Sequence, residues 1–179
     1  MHIGNAAGFS VDRMDVGGPV TDALIESGQP AALFYETLAE RTLAIAQRER
    51  RNNPEKGYTP DLAGFVGPVL KRCVEGNVPI IGNFGAANPI GAARRLHDLA
   101  KELEIEGLRV AVVDGDDLRE GIRGLKTQKW GNETPLDLSN TEILAANVYL
   151  GAQPIADALA LDPHIVVTGR VTDSALALG

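Results

Sequence analysis

Three carboxylates stand within four residues of this sequence, at Asp114, Asp116 and Asp117. Carboxylates at this density can bind Mg²⁺ or serve as general acid and base. Capping of a following helix explains Asp116 or Asp117 equally well. Three carboxylates are more than a cap needs, so both the ligand role and the capping role stay open.

A second polar segment, residues 169–173, reads Gly-Arg-Val-Thr-Asp. A guanidinium at a turn of this kind can hold a carboxylate or phosphate through two parallel hydrogen bonds, which gives Arg170 a binding role. An ion pair between Arg170 and Asp173 is the structural alternative. No serine lies in a Gly-x-Ser-x-Gly elbow, so a Ser/His/Asp hydrolase is not supported.

Three glycines precede predicted helices, at Gly85, Gly151 and Gly169. Free amides at helix N-termini bind anions, so each turn could cradle a phosphate. Tight strand-to-helix connections explain the same glycines. The chain has no Walker lysine after a glycine loop and no dinucleotide fingerprint at Gly4 to Gly8.

Apolar runs of strand length precede each of these polar segments. The predicted strands cover residues 1–4, 31–35, 78–82, 108–113, 143–150 and 164–168. Predicted helices alternate with them at residues 19–28, 37–51, 59–76 and 88–106. A short helix from Pro154 is expected to join the last two strands into one βαβ unit.

This alternation predicts an α/β fold: an open, mainly parallel twisted sheet of about five or six strands, with helices on both faces in a Rossmann-like layering. Ligands bind beyond the carboxyl ends of strands in such sheets. We therefore expect Glu36, Asn83, Asp116, Asn147 and Arg170 to meet along one rim.

Composition excludes several functional classes. The net charge is −7 and no basic block is present, which argues against nucleic-acid binding. The basic residues 48–51 are interpreted as a solvated helix end. No apolar run approaches membrane-spanning length, and no secretory signal is visible. Cys73 is the single cysteine and is assigned to core packing, which favours a reduced cytoplasmic setting.

Residues 172–179 look like the first turns of a helix without a cap. We therefore expect residues 1–179 to be a single α/β domain that forms the N-terminal part of a longer protein. A homo-oligomer, or association with the protein's own C-terminal region, is expected to cover its apolar surface. Residues 119–140, with the only tryptophan, Trp130, are interpreted either as a lid or as a surface excursion.

Long sequence motifs give a family resemblance. The strongest lie at residues 146–155 and 168–179, and others at residues 3–13, 36–40, 83–89 and 115–117. On these motifs the chain resembles the N-terminal domain of the acyclic terpene utilisation (AtuA-type) proteins. It departs from the family pattern at Glu36, where Asp is expected, and at Phe84, Ala86 and Ala87, where glycine is more frequent.

The resemblance implies a role in the breakdown of branched terpenoids such as citronellol and geraniol, whose intermediates are acyl-CoA thioesters. It favours an enzyme, a carbon–carbon lyase or a related one, that acts on a small-molecule substrate: a branched acyl-CoA or its acid. Coenzyme A would enter as part of the substrate, and Mg²⁺ stays an alternative at the aspartates. A non-catalytic module that binds CoA or a nucleotide, or that assembles with a C-terminal partner domain, is the alternative.

In the enzyme hypothesis, each predicted site residue has a role that its chemistry allows. Acid–base or metal-binding groups would come from Glu36, Asp116, Asp117 and Asp173. Arg170 would hold a carboxylate or phosphate, and an enolate or thioester oxygen would receive hydrogen bonds from amides. The substrate-binding set is Asn83, Gly85, Asn147, Gly151, Gly169, Arg170 and Thr172.

Overall fold

The computed structural model describes residues 1–9, 12–129, 131 and 133–179. Its strands are β1 (His2–Ala7), β2 (Ala31–Tyr35), β3 (Ile80–Gly82), β4 (Val110–Val113) and β5 (Ile165–Thr168). Its α-helices are α1 (Gly17–Glu26), α2 (Glu40–Asn52), α3 (Leu62–Glu75), α4 (Pro89–Glu102), α5 (Gln153–Leu159) and α6 (Ala175–Leu178). Two 3₁₀ turns cover Met14–Val16 and Ile122–Gly124.

The five strands form one sheet in the order β1-β2-β3-β5-β4, and every pair is parallel. Side chains alternate between its two faces, as a period of two requires. In β2, Leu33 and Tyr35 enter one core and Ala32 and Phe34 contact the other. The predicted α/β class and parallel sheet are thus confirmed.

Helices cover both faces of the sheet. The larger core lies under α1, α3 and α4, and the smaller one lies under α5 and α6. The cap predicted for α4 is present, because the Asn88 side chain accepts a hydrogen bond from the Gly91 amide at 3.0 Å and Pro89 follows it. None of the helices in the described ranges is both long and apolar enough to cross a membrane.

One predicted strand is wrong. Residues 143–150 form no strand but make two isolated bridges, Asp117 to Asn147 and Leu150 to Val171. A strand within a parallel sheet is buried on both faces, whereas Val148 is 40% exposed and Tyr149 is 44% exposed. The predicted βαβ unit is therefore also wrong, and α5 follows an irregular segment that runs beside the sheet's edge.

Several predicted boundaries shift for local reasons. Helix α2 begins at Glu40 rather than residue 37, because the Thr37 amide donates to the Asn83 side chain at 2.7 Å. Strand β3 begins at Ile80, since the preceding Pro79 has no amide hydrogen for the ladder. Helix α4 ends at Glu102, short of residue 106, and Glu104 then adopts a φ of 56°.

Helix α2 lies across the carboxyl ends of the strands instead of packing on a face. Its buried residues Leu43 and Ala46 form a small third core with Leu38, Ala86 and Ala87 from the loops after β2 and β3. Helix α2 therefore covers the loops at this edge. Any site among them is bounded by the sheet below and α2 above.

Cys73 on α3 should be inert in the folded protein. Its side chain is 2% exposed, and burial raises the thiol pKa to about 11, so the reactive thiolate is scarce near neutral pH. We expect no labelling by a thiol reagent at pH ~8 until denaturant is added, given the usual thiol pKa of roughly 8.5. Labelling of the native protein at the rate of an unfolded control would contradict the assignment of Cys73 to the core.

Candidate functional site at the carboxyl edge of the sheet

The carboxyl edge is where the polar loops converge. Because all five strands are parallel, the loops after β2, β3, β4 and β5 leave the sheet at the same edge. The connection after β3 passes to the face of α4, and the connection after β5 passes to the opposite face with α6. The crevice between two such strands is the usual ligand position in open α/β sheets.

Asn83 and Glu36 hold the start of the β2–α2 connection. Asn83 is fully buried, and its Oδ1 accepts from the Thr37 amide at 2.7 Å and from Thr37 Oγ1 at 3.2 Å. Its Nδ2 donates to Glu36 Oε1 at 2.9 Å, and the same oxygen accepts from the Leu38 amide at 3.0 Å. The structure thus gives both residues internal partners that fix the chain leading into α2.

Asp116 joins two segments from different parts of the chain. Its Oδ2 accepts from Asn147 Nδ2 at 2.7 Å and from the Arg170 backbone amide at 2.8 Å. The residue is 2% exposed, and no ion pair to it occurs in the described part of the chain. Burial raises the pKa of Asp116, although the hydrogen bonds from Arg170 and Asn147 oppose that rise.

Gly169 lies directly against this carboxyl group. A Cβ at Gly169 would stand 2.3 Å from Asp116 Oδ1, which is far inside van der Waals contact. We therefore expect Gly169→Ala to lower the free energy of unfolding by roughly 1–3 kcal/mol, the usual cost of overpacking.

Gly151→Ala is the matched control, because nothing lies within 4 Å of a Cβ built there. Urea denaturation of both variants measures the difference. Equal stability of the two variants would show that Asp116 is not packed against the Gly169 backbone.

Asp117 has different partners from Asp116. Its carboxylate binds the Arg119 guanidinium at 2.7 Å and Gln47 Nε2 of α2 at 3.3 Å. Burial pushes the Asp117 pKa upward, but the hydrogen bonds from Arg119 and Gln47 outweigh it and hold the pKa below its usual value. Asp114 is exposed and accepts from the Gly115 amide. In the described ranges no three His, Cys, Asp or Glu side chains are grouped to hold a metal ion.

Arg170 has the most unusual surroundings at this edge. Its guanidinium is 3% exposed, donates to the Leu38 carbonyl and to Asp173, and lies 4.2 Å above the Tyr149 ring centre. Its Nε is buried and has no hydrogen-bond partner among the residues that the structure describes. The Tyr149 hydroxyl donates to Glu40 at the start of α2. A buried cation is therefore clamped between an aromatic ring, a carbonyl and a carboxylate that is 67% exposed.

The predicted substrate-binding residues that remain are Gly85, Thr172 and Gly151. The Gly85 amide donates to the Thr168 carbonyl at 2.9 Å, so it is not free to donate elsewhere in this conformation. Thr172 donates its amide to the Leu150 carbonyl at 2.9 Å. Gly151 is exposed beside the start of α5.

Sequence reasoning missed Tyr149, Glu40 and Leu38. Tyr149 belongs to the motif at residues 146–152, and an exposed aromatic next to a predicted arginine loop could have indicated it. Glu40 and Leu38 meet this cluster only because α2 crosses the edge, and no sequence pattern predicts that placement. The lid hypothesis involved Trp130, which lies outside the described residues; the described part of the excursion carries a bridge from Gln128 to Pro135.

The fold and this edge define an open parallel α/β protein whose polar loops converge beneath a crossing helix. The family model described as acyclic terpene utilisation family protein AtuA matches residues 1–179, and the chain belongs to that family. Searches of curated proteins and of solved structures gave no match to this chain.

Proposed function

We propose that this chain binds a branched acyl-CoA or its free acid in the cytoplasm and catalyses a carbon–carbon lyase step or a related one. The observation that carries the proposal is the buried guanidinium of Arg170, whose Nε has no partner within the described ranges. The family description supports the substrate class, because acyclic terpenes are branched and lack rings. Polar groups that meet at one edge of the parallel sheet, beneath α2, support a small-molecule site.

Arg170 is the substrate-binding residue in this proposal. The Nε and Nη2 atoms form one edge of a guanidinium, and only Nη2 has a partner, Asp173. A carboxylate or phosphate that displaces Asp173 would bind both atoms in parallel, which is the strongest geometry available to arginine. The Tyr149 ring holds the guanidinium plane during this exchange.

Asp173 is the catalytic base in this proposal. Its carboxylate contacts Arg170, yet the side chain is 67% exposed and can turn toward a bound substrate. In a carbon–carbon lyase step, Asp173 would take the proton from a hydroxyl group on the β carbon of the thioester, and the bond between the α and β carbons would break to give a carbonyl product and an enolate. The Arg170 cation would stabilise the negative charge of that enolate. Asp116 is a positioning residue, since it holds Asn147 and the Arg170 backbone in place.

A separate observation favours the alternative function, a non-catalytic binding module. Asp117 is held as an ion pair by Arg119, Asp116 is buried, and Glu36 is bound to Asn83. With Asp173 paired to Arg170, all four predicted acid–base groups therefore have partners within the protein. A CoA- or nucleotide-binding module needs Arg170 but has no use for a free carboxylate.

Calorimetric titration of the full-length protein separates these functions. CoA, a branched acyl-CoA, the matching free acid and ATP are the titrants, with product analysis after each titration. We expect the branched acyl-CoA or its acid to bind and to be converted. Binding of CoA alone without conversion would favour the module, and absence of binding by every thioester and acid would contradict the proposal.

A further inference from the structure

A second pocket lies on the other side of Leu38, between α2 and the start of α3. Its volume is about 150 Å³. The apolar part of its wall comes from Leu38, Ile45, Ala46, Tyr58 and Ala86, and two carboxylates, Glu49 and Asp61, also line it. Leu38, Ala46 and Ala86 are buried, whereas Ile45 is 39% exposed. The pocket is thus a mainly apolar recess beside α2, with Ile45 on its solvent side.

The hydroxyl groups of the three threonines in its wall, Thr37, Thr42 and Thr59, are already used. Thr37 Oγ1 donates its proton to Asn83 Oδ1 at 3.2 Å, so Thr59 must be the donor in the 3.3 Å contact between the two threonine hydroxyls. Thr42 Oγ1 donates to the Ala39 carbonyl at 2.9 Å and accepts from the Ala39 amide at 2.8 Å. No hydroxyl proton of these three threonines is left for a ligand, so they present methyl groups.

Size and lining together indicate the occupant. A mainly apolar pocket of about 150 Å³ has room for a hydrocarbon of about six carbons. We propose that this pocket binds the branched hydrocarbon end of the ligand, a group of about five or six carbons, as a subsite distinct from the Arg170 crevice. An anionic group is disfavoured there because the carboxylates of Glu49 and Asp61 also line the pocket.

Leu38 connects the two subsites. Its side chain lines the apolar pocket, and its carbonyl accepts a hydrogen bond from the Arg170 guanidinium. A ligand with an oxygen-rich head at Arg170 would therefore have to pass only Leu38 to place a short branched tail in the pocket. This assignment of the tail rests on the proposed function for the head, but the pocket can be tested without it.

The test uses isoamyl alcohol, a neutral branched five-carbon probe with no anionic group. Saturation-transfer NMR on the full-length protein compares wild type with Ala46→Leu, which fills the pocket, and Ala44→Leu, which adds the same group on α2 outside the pocket. We expect Ala46→Leu to weaken binding about tenfold or more, given that one misfitted methylene costs roughly 10–200-fold. Ala44→Leu should bind as wild type does.

Ala86→Gly is the second variant, and it decides the question if Ala46→Leu fails to fold. Ala86 has a φ of 45°, a conformation that glycine adopts without strain, and its loss enlarges the pocket by one methyl group. The homologue of isoamyl alcohol with one more methyl group should then gain roughly tenfold in affinity.

The outcomes distinguish the pocket from the catalytic proposal. Binding of the alcohols with this pattern supports the pocket even if no thioester is converted. Equal binding by wild type and Ala46→Leu, no gain in Ala86→Gly, or no binding to wild type would overturn it. Turnover of branched thioesters that is unchanged in Ala46→Leu would also overturn the pocket, while leaving Arg170 and Asp173 in their roles.

Discussion

Arg170→Gln is expected to abolish measurable binding of carboxylate and thioester ligands. Removing one partner from a buried, hydrogen-bonded charge contact costs roughly 2–5 kcal/mol, which corresponds to about thirtyfold or more in affinity. Arg170→Lys should fail almost as completely, since an ammonium cannot offer the planar edge formed by Nε and Nη2. Titration calorimetry with a branched acyl-CoA measures both variants.

Asp173→Asn is the matched control for this experiment. Asp173 occupies Nη2 of Arg170 and competes with an incoming anion. The variant should therefore keep or improve affinity for the acid, while turnover falls by a factor of about 10²–10⁴, the usual contribution of a general base. Loss of affinity in Asp173→Asn together with unchanged affinity in Arg170→Gln would contradict the assigned roles.

Asp116→Ala is expected to destabilise the fold strongly. The substitution leaves the Asn147 side chain and the Arg170 amide without their acceptor, and each unpaired buried group costs roughly 1–3 kcal/mol. Asp116→Asn should be much milder, because an amide oxygen can accept the same two hydrogen bonds. Urea denaturation of the two variants gives the comparison, with similar large losses in both counting against this explanation.

The stability of wild type and that of Asp116→Asn should also depend differently on pH. The pKa of Asp116 is raised in the folded state by burial, so folding favours its neutral form. The resulting stabilisation is fully present below the unfolded pKa and is lost as the pH rises through the folded pKa. Asp116→Asn cannot titrate, and its stability relative to wild type should increase over that pH range. Parallel stability curves would show that Asp116 has no raised pKa.

The elements with local signals were predictable from sequence. Asn88 followed by Pro89 predicted the start of α4, and the apolar spacing from Leu62 to Cys73 predicted α3. The strand predicted at residues 143–150 was wrong because strand-like composition does not say whether a segment is buried on both faces. Its Val148 and Leu150 amides instead donate to the Asp116 and Arg170 carbonyls, and its Tyr149 ring packs against the Arg170 guanidinium.

The edge location of the polar residues was predictable, but their pairings were not. Glu36, Asn83, Asp116 and Arg170 follow parallel strands, and parallel strands end at one edge. The contact between Arg170 and Leu38 spans 132 positions and depends on α2 crossing that edge. Long-range packing of this kind leaves no periodic signal in the chain.

The most direct test is the ¹⁵N resonance of Arg170 Nε in the full-length protein, assigned by its loss in Arg170→Lys. This atom is buried and has no acceptor in the described part of the chain. Titration with a branched acid or its CoA ester should shift the Nε–H signal strongly as a second hydrogen bond forms. A ligand that binds and is converted while this signal stays unchanged would contradict the proposed site.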